Sequence, residues 1–174
     1  MKGAIVDCLQ ALVSNKFGKD KWGKALEMGG YDPKKMFLVT EDVEDAKVLR
    51  LVDSVCKVLN ISLTQAADAF GEYWVCEYAP KIYKAYYQAA PSAKDFLLKM
   101  DEVHRLTTIN IPNAQPPRFK YEWLDNRTMV MKYEPKRGLI DFLVGLVKGV
   151  GKHYKENLLV SKVGNASVKV VFAK

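Results

Sequence analysis

Of the two histidines in this 174-residue chain, His104 and His153, only the first joins a line of residues at helical spacing, Phe96, Met100, Val103 and Thr107, that continues towards Ile111. An imidazole on such a face is either a satisfied core group or a metal ligand. A large, flat, apolar macrocycle could lie against Met100, Val103 and Thr107 with one imidazole nitrogen on its iron. A macrocycle of that kind carries two carboxylates. Tyr133 and Arg137, at i and i+4 of an extended segment, set a phenol and a guanidinium on one side to receive them. The plainer alternative leaves Arg137 on the surface and Tyr133 packed under a sheet.

Other chemistry finds little support. Phosphate-cradling GxGxxG and GxxxxGK loops are absent, as are HExxH and GxSxG, so the chain reads as a binding protein and not an enzyme. Gly145 and Gly149 form a GxxxG pair, but with Lys148 inside and no apolar frame around it the pair serves close helix packing. Cys8, Cys56 and Cys76 lie 48 and 20 residues apart, which fits neither a CxxC pair nor a zinc set and leaves reduced, buried thiols. The net charge of +7 comes from 27 basic and 20 acidic residues dispersed along the chain, a pattern that argues against nucleic-acid binding and suits an anionic small ligand.

A composition of 49% hydrophobic and 11% aromatic residues fits one domain over residues 1–174 with a closed core. The longest apolar stretch, from Gly138 to Val147, is broken by Asp141 and falls well short of a bilayer span, so no membrane helix is expected. Asp7 stands where a secretion signal would keep its apolar centre, which points to the cytoplasm.

The elements that would position His104 come in two blocks. Helices are expected over residues 1–17, around Trp22 to Met28, from Thr40 to Asn60, and from a Ser62/Gln65 capping box through Trp74 to Pro80, which bends or ends the helix. A further helix starts at Ser92, with Asp95 at its third position. Pro112, Pro116 and Pro117 close the helical half. Strands at 119–123 and 129–133 flank Asp125-Asn126, a helix covers 138–154, and strands at 158–163 and 167–172 flank Gly164-Asn165. Turn-joined strands make the sheet antiparallel and the fold α+β, with no internal repeat.

On this frame several motifs occur in order: Met1-Lys2-Gly3-x-Ile5, Phe17-Gly18-x-x-x-Trp22, Phe70-Gly71-Glu72-Tyr73-Trp74-Val75, Met100-Asp101-Glu102-Val103-His104, Pro116-Pro117-Arg118 and Tyr133-x-Pro-x-Arg137. Together they resemble the H-NOX family, the bacterial haem nitric oxide/oxygen binding domains, similar also to the sensor domain of soluble guanylate cyclase. The resemblance implies a helical half packed on the sheet with haem b buried between the halves. It makes His104 the proximal iron ligand, gives the propionates to Tyr133 and Arg137, and sets Pro117 against the porphyrin. The family pattern has serine where this chain has Pro135, which removes one hydroxyl donor to a propionate.

By the same likeness Ile5, Leu9 and Trp74 line the gas-binding face, and Phe142 stands where dioxygen-binding members carry a tyrosine hydroxyl. Nitric oxide needs such a donor less than dioxygen does, so a nitric oxide sensor is expected, with carbon monoxide as a further ligand. A histidine kinase or a cyclic-di-GMP enzyme would be its partner. The two competing readings are a dioxygen-binding haem domain and a haem-free helical interaction module of the same fold.

Overall fold

The computed structural model describes residues 1–134 and 138–173, which leaves the expected site residues Pro135 and Arg137 outside the described part. The chain divides into two compact units, residues 1–66 and 67–174. In the first unit α1 (Gly3–Phe17), α2 (Lys19–Met28) and α3 (Asp45–Leu59) bury Val6, Cys8, Leu9, Leu12 and Val13 from α1 and Val48, Leu51, Val52 and Val55 from α3. Gly18, at φ +102°, separates α1 from α2, and Asn60, in the left-handed region at φ 53°, ends α3.

The third helix begins at Asp45, not at Thr40 as the apolar pattern implies. Backbone groups of the preceding segment are already engaged by the start of the chain: Gly3 donates to the Glu41 carbonyl at 2.8 Å and Val43 to the Met1 carbonyl at 2.8 Å. Lys2 and Asp42 form an isolated antiparallel bridge. Extended pairing thus takes the carbonyls a helix from Thr40 would need.

The fourth helix, α4 (Leu63–Tyr73), opens on the expected capping box. The Gln65 amide donates to Ser62 Oγ at 3.2 Å while the Ser62 amide donates to Gln65 Oε1 at 2.9 Å. It then passes into a π-helical turn over Trp74–Tyr78, and α5 (Ala79–Ile82) and α6 (Lys84–Gln88) follow. The sequence reading carries one helix through to Pro80. Because proline has no N–H to continue the ladder, the chain widens instead, with the Ala79 amide reaching the Trp74 carbonyl.

Ser92 caps α7 (Ala93–Thr108) by accepting from the Asp95 amide at 3.1 Å. Strands β1 (Arg118–Trp123) and β2 (Thr128–Glu134), helix α8 (Ile140–Tyr154), and strands β3 (Leu158–Val163) and β4 (Ser167–Phe172) complete the second unit. The four strands form one antiparallel sheet in the order β1-β2-β4-β3. Asp125 Oδ1 accepts from the Arg127 and Thr128 amides at 2.7 and 2.8 Å, which fixes the first hairpin. Gly138, at φ +71°, cannot be helical, so α8 starts later than its apolar run.

The division of units falls inside α4, while Pro112, Pro116 and Pro117 lie between α7 and β1, where the run of helices gives way to strands as expected. Helices α7 and α8 share a core with the sheet: Phe96, Leu97, Leu143, Val147 and Val150 pack in one cluster with Phe119, Met129, Met131, Tyr133, Val168 and Val170. Helix α4 is drawn in through glycine. A Cβ on Gly145 would fall 2.1 Å from the Ala67 carbonyl oxygen, and one on Gly149 would fall 2.5 Å from that of Gly71. The GxxxG pair therefore brings two backbones together, as its sequence context implies. No helix among the described residues is long and apolar enough to cross a membrane.

Candidate functional site

His104 lies one turn before the end of α7, and its carbonyl accepts from Thr108 Oγ1 at 2.6 Å. The residue is partly buried, yet its Nδ1 is wholly enclosed and meets no hydrogen-bond partner. Burial pushes the imidazole pKa below the ordinary histidine value, opposed by the Pro117 backbone and by the Asp101 carboxylate. The ring is thus held neutral, the form that can offer a lone pair to a metal.

Alternation along β1 turns Phe119 and Tyr121 towards α7. The Phe119 ring lies 5.5 Å from the imidazole, tilted by 39°, and 6.1 Å from the ring of Tyr133 on β2. Phe119 is cross-strand partner to Tyr133, which explains why the two meet. Tyr133 is 7% exposed and belongs to the core. His104, Phe119 and Tyr133 therefore form one ladder running from α7 across the sheet. Phe119 is the member that the sequence reading left out, although its inward position on an alternating strand was a usable signal.

A second group of rings occupies the helical side of the same unit. Trp74 stacks on Phe70 at 5.9 Å and on Tyr78 at 5.3 Å, and Phe70 meets Phe142 edge-on at 5.4 Å. Trp74 and Met100 both pack on the cluster that contains Phe119 and Tyr133. Trp74, Met100 and Phe142 are each half-buried. Phe70, which joins Trp74 to Phe142, was likewise missed as a site residue. In the first unit Leu9 is buried and Ile5 half-buried on α1.

Among the described residues no three histidine, cysteine, aspartate or glutamate side chains gather as a metal site. His104 can therefore supply one ligand, and a metal held there would bring its remaining ligands with it. An imidazole with one enclosed, unpartnered nitrogen, set beside the Phe119 ring, fits a residue that would hold the iron of a metalloporphyrin.

Comparison with known proteins shows the family and the fold. The soluble guanylate cyclases gcy-32 and gcy-35 of Caenorhabditis elegans are 28% and 26% identical to the chain, over 157 and 167 residues, or 87% and 94% of it. The chain spans only 23% and 24% of those two proteins. Among solved structures, a Cs H-NOX mutant carrying 4-cyano-L-phenylalanine aligns with a TM-score of 0.87 at 24% identity, over 100% of this chain and 97% of that one. An oxygen-binding H-NOX domain related to soluble guanylate cyclases aligns with a TM-score of 0.82 at 25% identity, over 100% and 96%. With the profile described as Haem-NO-binding matching residues 2–162, across both compact units, the chain belongs to the H-NOX family of haem-based gas-sensor domains.

Proposed function

We propose that residues 1–174 act as a single sensor domain that takes haem b and binds nitric oxide at the ferrous iron, with His104 as axial ligand. The observation that carries this reading is that His104 Nδ1 is enclosed without a hydrogen-bond partner, in a ring that burial disfavours from charging and that lies 5.5 Å from the Phe119 ring. When bound, haem would supply an iron able to take a diatomic ligand. Tyr133 and Arg137 would hold its carboxylates, by the donor chemistry of a phenol and a guanidinium. Pro117 would lie against the macrocycle, as the family likeness implies, and proline at 135 brings no hydroxyl donor for a carboxylate.

The choice of gas follows from Phe142. Its ring and that of Phe70 offer no donor where dioxygen-binding members have a tyrosine hydroxyl, and bound dioxygen would depend on the Trp74 indole or the Tyr78 phenol for a hydrogen bond. Nitric oxide, and more weakly carbon monoxide, remain as ligands. A change at the ligand held by His104 would be carried by α7, and a histidine kinase or a cyclic-di-GMP enzyme is the partner proposed to read it.

The test is reconstitution with haem, reduction, and comparison of absorption spectra under argon, air and nitric oxide. Matching spectra in argon and air with a changed spectrum under nitric oxide are expected. A stable, distinct spectrum in air would overturn the nitric oxide assignment in favour of dioxygen binding. Failure to take up haem at all would leave only a helical interaction module.

A further inference from the structure

Metal-binding histidines as a rule have their second ring nitrogen oriented by a carboxylate, a carbonyl or water. Nδ1 of His104 is enclosed without a partner within hydrogen-bond distance, and the Pro117 backbone faces the ring and favours its charged form, so how the ring is set depends on what fixes the segment after Pro117 against α7. One turn earlier on the same face of α7, Asp101 makes the strongest polar attachment between this helix and the sheet. Arg118 Nε donates to Asp101 Oδ1 at 2.7 Å, the guanidinium NH2 donates to Oδ2 at 2.6 Å, and the Phe119 amide donates to Oδ1 at 2.8 Å. A turn before that, the Tyr121 hydroxyl donates to the Leu97 carbonyl at 2.7 Å.

Residues 117, 118 and 119 thus address α7 together: the Pro117 backbone and the Phe119 ring face His104, while the Arg118 guanidinium and the Phe119 amide grip Asp101. A bidentate fork fixes rotation as well as distance. We infer that Asp101 and Arg118 are a positioning pair that sets the His104 ring by clamping α7 to the start of β1, so that α7 and the Pro117 to Phe119 segment move as one body. This rests on the haem reading above and assigns the orienting role to a carboxylate acting one turn away from the ring.

The test uses Asp101→Ala, Arg118→Gln and the exchanged double variant Asp101→Arg/Arg118→Asp. Resonance Raman of the reduced haem protein reads the iron–histidine stretching band, and amide hydrogen exchange of the haem-free protein reads Phe119. Both single variants are expected to shift and broaden the band and to speed Phe119 exchange by about tenfold. The exchanged pair should recover the band but not the Phe119 protection, because an arginine at 101 offers the Phe119 amide no acceptor. Arg118 is half exposed, so Arg118→Gln keeps the test open should Asp101→Ala fail to fold. A wild-type band left unmoved by the single variants, with Phe119 exchange alone accelerated, reduces the pair to a surface brace and overturns the inference. Absence of any iron–histidine band in the wild-type protein overturns the haem reading and this proposal with it.

Discussion

His104 carries a cost that acid should reveal. Burial holds its pKa below 6.5 in the folded chain, and burial acts in the same direction on His153, whose ring sits edge-on to Tyr87 at 4.8 Å. A group whose folded pKa is depressed contributes stability above its unfolded pKa and loses it as pH falls towards the folded value. The haem-free protein should therefore weaken as pH drops below about 6.5. In His104→Gln the loss should be shallower, with His153 responsible for the remainder. Urea midpoints at pH 7.5 and 5.5 check this, and equal acid losses in the two proteins would refute it. Asp101 titrates elsewhere: its bonds from Arg118 lower its pKa to about 2, so its attachment fails only in much stronger acid.

At the level of elements, the second unit depends on how closely α4 and α8 approach. Asp68 with Lys148 at 2.8 Å, and Glu72 with Lys152, pair along the same two helices, but exposed pairs of this kind contribute little. The glycines matter more. A methyl on Gly145 would strike the Ala67 backbone, which cannot rotate away as a side chain could. Gly145→Ala should cost about 3 kcal/mol and lower the melting temperature by about 10 °C, whereas Lys148→Ala should change either by far less. Ser92→Ala, which removes the cap that starts the helix bearing His104, should cost about 1 kcal/mol in the same thermal assay. Much of this architecture was legible in residue order. The Ser62/Gln65 box, the Ser92 cap, the glycine pair and both hairpins are signals local to a few residues, and each formed as its chemistry requires. The late start of α3 and the π-helical turn were not legible. The first depends on a strand-like partner some forty residues away at Met1 to Gly3, the second on how the chain adapts to a missing donor at Pro80.

For the molecule as a whole, the site was readable where one residue type is rare and less so where it is common. His104 stood out as one of two histidines on a helical face, whereas Phe119 and Phe70 are two of 7 phenylalanines and gain meaning only through ring contacts across elements. The family profile spans both compact units, and the 27 basic residues are spread along the chain. A folded-state ligand should therefore act through its specific site and not through general charge. A ligand that binds the native state alone stabilises it by RT ln(1 + [L]/Kd), about 2.7 kcal/mol at a hundredfold excess over Kd. Titration with ferrous haem should raise the unfolding midpoint of the wild-type protein with this logarithmic dependence. His104→Gly should need higher haem concentrations for the same rise, and added imidazole should restore part of the difference by standing in for the lost ring. A rise identical in the two proteins would mean that haem adheres to apolar surface without engaging the histidine, because nonspecific burial does not distinguish an imidazole from a gap.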